Sequence, residues 1–273
     1  MLFSDFIITN DENRHVMHYA HLFGPVRSRR LKRSLGIDLV PSGICTFNCV
    51  YCECGTTADI TAGRRDFFPV QEVLSELEDY LSRSPPVDFV TFSGSGEPTL
   101  SLSIGTVIRF LKDRFPAYRV AVLTNGSLLD NPGVRRDLLS ADVVLPTVSS
   151  INEETFRKIH RPAPGISLHN ILEGLVRFRK EYTGEIWLEV FIVPGLNTSD
   201  AELSGLRKII FEIRPDRVQL NTLDRPGTED WVRPASAAEL DRVKELLDFP
   251  AAENLASQDF TARVSLCRKD PEE

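Results

Sequence analysis

Two patterns of apolar positions alternate along the chain. In one, short runs are almost wholly apolar; in the other, apolar residues recur every three or four positions. The first pattern predicts buried strands and the second predicts amphipathic helices. The predicted strands cover residues 35–40, 88–92, 119–123, 142–146, 186–193 and 217–220. The predicted helices cover residues 70–84, 104–115, 153–160, 168–182, 201–213 and 237–247.

This alternation of strands with helices predicts an α/β fold with a parallel sheet covered by helices. A partial (β/α)6 relative of the TIM barrel is the natural way for six such units to close. Functional sites in barrels of this kind lie at the carboxyl ends of the strands. Polar and glycine-rich segments follow the first four predicted strands. We therefore expect one site, formed at that rim.

Composition and charge argue against several classes of protein, namely nucleic-acid-binding, membrane-spanning and disulfide-rich secreted proteins. The chain has 273 residues and a formal net charge of -7, which argues against bulk affinity for nucleic acid or an anionic membrane. It has no run of about 18 apolar residues that would span a bilayer, and residues 1–6 do not resemble a signal peptide. Four of the five cysteines lie within ten residues, which is not a disulfide framework. We predict a cytoplasmic protein with no membrane partner.

Three cysteines, Cys45, Cys49 and Cys52, have the spacing C-x3-C-x2-C. Because iron–sulfur clusters are held by cysteine thiolates, three of them can bind three irons of a 4Fe–4S cube and leave the fourth iron open. Zinc is the alternative, with Cys54 as a fourth ligand. Zinc sites usually combine ligands from two separated parts of a chain, and no second Cys or His pair follows at a suitable spacing. The pattern favours the cluster.

This spacing, with Tyr51 before the last cysteine, resembles the signature of the radical S-adenosylmethionine (SAM) superfamily. In that family SAM chelates the open iron through its amino and carboxylate groups. The segment 92–100 resembles the family's Gly-Gly-Glu-Pro motif, which hydrogen-bonds the methionine amino group, with serine in place of the first glycine. The resemblance implies SAM contacts from Gly94, Ser95, Gly96 and Glu97.

Other candidate SAM contacts follow later strands. Thr124 and Asn125 are either turn formers or cofactor contacts, since Asn-Gly is a common turn pair. Thr147 or Ser149 would bond a ribose hydroxyl, although relatives often have an acidic residue at position 149. Glu189 lies in an apolar strand and needs a partner, which is either SAM or a buried arginine. Tyr51 would lie near the adenine or pack against the core.

Substrate candidates lie in two segments. Arg29 and Arg30 belong to the strongly basic segment 27–33, which is either a solvated face or a clamp for phosphate or carboxylate. Asn221, Asp224 and Arg225 follow the sixth predicted strand and are candidates for substrate contact.

The likeness extends from about Gly24 to Pro234 and points to a poorly characterised branch whose nearest named relatives make the wyosine base of transfer RNA. Those enzymes need a second cluster held by additional cysteines, and no cysteine precedes Cys45 here. This argues against wyosine synthesis itself. Relatives tend to start near Met17. The implied division is an extension over residues 1–16, a radical SAM partial barrel over 17–235, and a helix and tail over 236–273.

The resemblance implies reductive cleavage of SAM at a 4Fe–4S cluster. The resulting 5′-deoxyadenosyl radical would take a hydrogen atom from an unidentified substrate, such as a nucleotide, RNA or another anionic molecule. The chain has no flavin- or ferredoxin-like segment, so we expect an external flavodoxin or ferredoxin as the electron donor. Two alternatives stay open: an activase for a glycyl-radical enzyme, and a metal-binding module without catalysis.

Overall fold

The computed structural model describes residues 19–255, which fold around one large mixed sheet. In chain order, the strands are β1 (Leu22–Ser28), β2 (Lys32–Ile37), β3 (Ile44–Cys45), β4 (Asp59–Ile60), β5 (Phe89–Phe92), β6 (Arg119–Thr124), β7 (Val143–Pro146), β8 (Glu185–Phe191), β9 (Arg217–Asn221) and β10 (Ala252–Asn254). The helices are α1 (Val70–Leu81), α2 (Ile104–Arg114), α3 (Pro132–Leu138), α4 (Glu153–His160), α5 (Leu168–Glu181), α6 (Asp200–Ile213) and α7 (Ala237–Leu247).

The central six strands confirm the predicted α/β fold. The sheet order is β1-β2-β5-β6-β7-β8-β9-β10, and every neighbouring pair from β2 to β9 is parallel. These six strands are the ones that the apolar pattern predicts. The first of them lies about three residues earlier than predicted, at Lys32–Ile37 rather than 35–40. The result is a partial (β/α)6 barrel with its helices on the outside.

Two edge strands, the small sheet of β3 and β4, and a short helix are present in addition to the predicted elements. Strand β1 pairs antiparallel with β2, and β10 pairs parallel with β9. The pattern misses β1 because Gly24 and Pro25, joined by a cis peptide bond, interrupt it and shift its register against β2. The basic segment 27–33 therefore spans the hairpin turn between β1 and β2 instead of leading directly into the first strand. The short helix α3 was also not predicted.

The β1–β2 turn bridges the gap left by the incomplete barrel. Strands β1 and β10 are the two edges of the sheet, yet Arg29 in the turn donates to the carbonyl of Leu255, just after β10. Leu31 of the same turn is buried in a small apolar cluster at the strands' inward positions. The cluster consists of Leu31, Phe89, Ala121, Val143, Leu145 and Trp187. The turn therefore helps to fill the barrel interior and to join its two edges.

The larger core lies between the sheet and the helices. Its strand residues alternate with the inward-facing ones, as Val120 and Val122 do in β6. The apolar faces of the helices pack against these residues. Among residues 19–255, no helix is long and apolar enough to cross a membrane. The predicted extension over residues 1–16, the end of the predicted tail and Cys267 lie outside the described residues.

Candidate functional site

The cysteine loop begins at the end of β3 and is tied to the main chain of α4. Cys45 pairs with Ile60 in the small sheet of β3 and β4. The amide of Asn48 donates to the carbonyl of His160 at 2.9 Å, and that of Val50 donates to Ile159 at 2.9 Å. These bonds fix the loop against the carboxyl end of α4.

The three predicted ligands are half-buried, whereas Cys54 is exposed. Burial, followed by the nearby Glu97 carboxylate, raises the pKa of Cys45 to about 12. Burial and the neighbouring Cys45 and Cys52 thiols raise the pKa of Cys49. A hydrogen bond with Cys54 lowers the pKa of Cys52 to about 7. Thiols that oppose one another's ionisation in a partly buried loop need a cation to become thiolates together, and the irons of a cluster provide one.

The described residues contain no set of three Cys, His, Asp or Glu side chains placed to surround a single metal ion. Cys54 bonds instead to Cys52 and to the carbonyl of Gly94, at 3.8 Å. Cluster ligands differ from zinc ligands because each thiolate binds a different iron. The donor set therefore fits a 4Fe–4S cluster carried by Cys45, Cys49 and Cys52.

His160 contacts the loop and was not singled out in the sequence. Its Nδ1 lies 3.3 Å from Cys49 Sγ, and its ring packs among Phe47, Tyr51 and Phe156. Burial lowers the pKa of His160 to about 3, so the imidazole is neutral at ordinary pH. A single histidine at a helix end, 111 positions from its partner, leaves no recognisable pattern.

The Gly-x-Gly-Glu-Pro segment lies directly against the cysteine loop. A Cβ on Gly96 would stand 2.2 Å from the carbonyl oxygen of Ile44. Gly94 has φ +127, and a Cβ there would stand 2.6 Å from the carboxylate of Asp38. Gly96 requires glycine because two backbones approach closely there, and Gly94 requires it because of its positive φ and the nearby Asp38 carboxylate. Ser95 Oγ donates to Asp38 Oδ2 at 3.2 Å, which gives Asp38 a role that the sequence did not indicate.

Glu97 is the centre of a buried hydrogen-bond network, with 2 % of its surface exposed. Its Oε1 accepts from Thr99 N at 3.0 Å, Thr99 Oγ1 at 2.6 Å and Thr124 Oγ1 at 2.6 Å. Its Oε2 accepts from Asn125 N at 2.8 Å. Burial raises the pKa of Glu97 even though all four hydrogen bonds oppose that shift. The predicted residues Thr124 and Asn125 are thus joined to Glu97.

The side chain of Asn125 holds the cysteine loop. Its Nδ2 donates to Thr46 Oγ1 at 2.7 Å and lies 3.7 Å from Cys45 Sγ. Ser127 Oγ bonds the same threonine hydroxyl at 2.8 Å. The strand end after β6 therefore supports both the loop and the Glu97 network.

Glu189 lies on the opposite wall, at the end of β8, and pairs with an arginine. Arg30 Nη1 is 2.6 Å from Glu189 Oε2. Asn221 Nδ2 donates to the same oxygen at 3.2 Å, and Thr147 Oγ1 donates to Oε1 at 3.1 Å. Three predicted site residues from β7, β8 and β9 thus form one polar row with Arg30 above the apolar cluster of the barrel. Among the residues that the structure describes, the buried Oδ1 atom of Asn221 has no hydrogen-bond partner.

Two other predicted cofactor contacts, Ser149 and Tyr51, interact with Phe191 of β8. Ser149 Oγ accepts from the amide of Phe191 at 3.2 Å. The ring of Tyr51 stacks on Phe191, with centroids 3.7 Å apart and planes at 10°. Ser149 therefore fixes the end of β8 to the segment after β7, and Tyr51 fixes it to the cysteine loop.

The arginine candidates all pair with carboxylates. Arg29 Nη2 lies 3.2 Å from Asp224 Oδ2, and Arg225 Nε donates to Glu53 Oε2 at 2.8 Å. Together with the Arg30–Glu189 pair, these contacts neutralise the positive charge that a phosphate or carboxylate clamp needs. The Arg225–Glu53 pair also attaches the segment after β9 to the cysteine loop.

Comparison with known proteins decides the family. The Radical SAM superfamily matches residues 39–204, which include the cysteine loop and the Gly-x-Gly-Glu-Pro segment. The chain belongs to the radical SAM superfamily. The cofactors of this family are a 4Fe–4S cluster and SAM. The sequence-based resemblance is confirmed, and a metal-binding module without catalysis is not supported.

Two curated relatives are each 35% identical to the chain. One is described as a GTPase Obg of Brachyspira hyodysenteriae, where the match covers 89% of this chain and 35% of that protein. The other is a UPF0026 protein of Methanocaldococcus jannaschii, where it covers 78% of this chain and 66% of that protein. The chain thus spans about a third of the first relative and about two thirds of the second.

Solved structures support the fold. SuiB of Streptococcus suis bound to its precursor peptide SuiA has a TM-score of 0.64 at 15% identity, covering 85% of this chain and 51% of that one. TYW1 with a lysine-pyruvate adduct has a TM-score of 0.55 at 16% identity, covering 80% and 74%. Likenesses at this level of identity establish the shared partial barrel.

Proposed function

We propose that Cys45, Cys49 and Cys52 hold the 4Fe–4S cluster of this radical SAM enzyme, and that the rim around them binds SAM and a substrate. One observation carries the proposal. The cysteine loop, the Gly-x-Gly-Glu-Pro segment and the polar row of Thr147 and Glu189 all meet at the carboxyl ends of the parallel strands. Sites in related barrels lie at that rim.

When bound, the cluster and SAM supply a 5′-deoxyadenosyl radical; the protein positions both and excludes competing reactions. Glu97 supports the SAM side of the site. Its four bonds all come from neutral donors, so its negative charge has no cationic partner among them. An amino group or sulfonium would supply that positive charge. The close approach at Gly96 brings this charge to the cysteine loop.

The remaining cofactor candidates form the other half of the SAM site in this proposal. Main-chain groups at 94–96 face the cysteine loop, and Thr124 and Asn125 fix Glu97. Thr147 and Glu189 offer polar atoms on the facing wall, where ribose hydroxyls would find acceptors. Tyr51 and Ser149 shape this wall through Phe191.

Asn221 is the residue that indicates the chemistry of the substrate. Its Nδ2 is held by Glu189, so its unpartnered Oδ1 can only accept a hydrogen bond. A buried acceptor without a partner costs free energy that a ligand N–H or O–H would recover. We therefore expect a substrate group that donates, such as the amino edge of a nucleobase. A bare phosphate or carboxylate fits less well, because Arg29, Arg30 and Arg225 already pair with carboxylates.

The test is anaerobic. The protein is reconstituted with iron and sulfide, reduced with dithionite and given SAM, and 5′-deoxyadenosine is measured by mass spectrometry. We expect product from the wild type and from Cys54→Ala, and none from Cys49→Ala. Cluster-dependent product in Cys49→Ala would refute the ligand assignment. Reconstitution with a flavodoxin or a ferredoxin in place of dithionite identifies the class of electron donor.

A further inference from the structure

Each of the three predicted cluster cysteines has a side-chain hydrogen-bond partner, and Cys49 has two, Tyr51 and His160. Asn125 Nδ2 lies 3.7 Å from Cys45 Sγ, and His160 Nδ1 lies 3.3 Å from Cys49 Sγ. The third, Cys52, bonds to the thiol of Cys54. The His160–Cys49 distance is shorter than the Asn125–Cys45 distance, and the His160 ring is buried.

We propose that His160 is a positioning residue that donates its Nδ1 hydrogen to the Cys49 thiolate and thereby raises the reduction potential of the cluster. This inference rests on the proposed ligand role of Cys49. Reduction potentials of iron–sulfur clusters depend on hydrogen bonds to their sulfurs and on burial. Neither the sequence pattern nor the family match assigns any role to His160.

The direction of the hydrogen bond follows from the ligand. A thiolate bound to iron has no proton to give, so a contact of 3.3 Å between Cys49 Sγ and a ring nitrogen requires that the nitrogen carries the hydrogen. The other ring nitrogen then decides only whether the ring is neutral or charged. The Nδ1 hydrogen bond to Cys49 is therefore the same whether or not the second nitrogen is protonated.

Three structural features hold the ring in place. The carbonyl of His160 accepts from the amide of Asn48, three positions after Cys45, so the loop and the histidine are joined by their main chains. The ring contacts Phe47, Tyr51 and Phe156 at centroid distances of 5.1, 5.8 and 5.3 Å. His160 is 3 % exposed. In such a water-poor surrounding a hydrogen bond is electrostatically stronger than in water.

The effect on the potential follows from charge. The reduced cluster carries one more negative charge than the oxidised cluster, so a donor at a ligand sulfur stabilises the reduced form more. Removing the donor should make the potential more negative. We expect the equilibrium constant for reduction to fall about tenfold, which is about 59 mV for one electron.

The experiment compares reconstituted full-length proteins by a potentiometric titration followed by electron paramagnetic resonance. His160→Phe keeps a ring of similar size but has no donor. His160→Asn places an amide nitrogen near the position of Nδ1 and should restore much of the potential. Phe156→Leu disturbs the same aromatic cluster without touching a cysteine, and should keep the wild-type potential. A merely structural role would shift Phe156→Leu and His160→Phe alike.

A second measurement does not depend on a variant that folds. Wild-type protein labelled with 15N-histidine should show a nitrogen coupling in the pulsed electron paramagnetic resonance spectrum of the reduced cluster. An unchanged potential in His160→Phe, or no such coupling in the wild type, would overturn the inference. Failure of the ligand assignment looks different, because it would show as iron retained in Cys49→Ala.

Discussion

Two buried carboxylates face the site from opposite walls, and they are satisfied in different ways. Glu97 accepts four hydrogen bonds from neutral groups, all supplied by the rim after β5 and β6. Glu189 relies on the guanidinium of Arg30, supplemented by Thr147 and Asn221. The Glu97 wall is therefore assembled locally and keeps its negative charge for a ligand. The Glu189 wall is assembled across the sheet and has its charge neutralised.

The largest effect is expected on the Glu97 wall, where the cysteines lie. Cys49→Ala should lose the iron that reconstitution gives the wild type and should form no 5′-deoxyadenosine, because one of three ligands is gone. Cys54→Ala is the matched control, since Cys54 is exposed and is not a predicted ligand. The readouts are iron and sulfide content together with product. Equal losses in both variants would mean that Cys54 is also needed to hold the cluster.

The next largest effect is a loss of stability, expected when the Arg30–Glu189 ion pair is broken. The side chains of Arg30 and Glu189 are only 21% and 11% exposed. Replacing Arg30 with methionine leaves a buried carboxylate without its cation, which should cost about 3–5 kcal/mol of unfolding free energy. The measurement is urea unfolding of the apoprotein.

The double variant Arg30→Met with Glu189→Gln tests the cause of that loss. The glutamine carries no charge and retains an oxygen that can accept from Thr147 or Asn221, so most of the lost stability should return. A double variant that is as unstable as Arg30→Met alone would show that packing of the Arg30 side chain, rather than its charge, holds the β1–β2 turn against β8.

Glu97→Gln is expected to have a smaller effect. In the variant, the amide nitrogen of the glutamine would face hydrogen-bond donors that now bond a carboxylate oxygen. This should lower the unfolding free energy by about 1–3 kcal/mol. The pKa of Glu97 is raised in the folded protein, so its protonation favours folding at acidic pH, and this contribution is lost as pH rises through the folded pKa. The difference from wild type should therefore be largest below about pH 4.5, the ordinary pKa of glutamate, and should shrink as pH rises above it. A difference that grows with pH would contradict this account.

The sequence predicted the Glu97 wall better than the Glu189 wall, for a physical reason. Apolar periodicity is local, so it indicates each strand and, with it, the place of the residues that follow that strand. The cysteine loop, the Gly-x-Gly-Glu-Pro segment and Asn125 were expected on one rim and lie there. Which arginine pairs with Glu189 depends on a hairpin that the pattern did not indicate. His160 was missed because no spacing links it to Cys49.

The smallest effect is expected where the segment after β9 meets the cysteine loop. Arg225 and Glu53 form a pair whose arginine side chain is 54% exposed. Exposed pairs contribute at most about 1 kcal/mol, so Arg225→Ala should shift the urea midpoint of the apoprotein only slightly. The loop has other anchors. Thr228 Oγ1 donates to the carbonyl of Cys49 at 2.8 Å, and the amide of Glu229 donates to the carbonyl of Val50 at 3.2 Å.

Product formation by Arg225→Ala then tests whether this arginine acts on the substrate. Wild-type stability and cluster content, combined with less turnover of a nucleobase-containing substrate, would assign it to substrate contact. Unchanged turnover would limit Arg225 to its bond with Glu53. In that case neither the exposed pair nor the neutralised Arg30 supplies a free positive charge, and recognition of the substrate would depend on hydrogen-bond acceptors such as Asn221 Oδ1. The two walls would then both attract donors, through a charge at Glu97 and a neutral amide at Asn221.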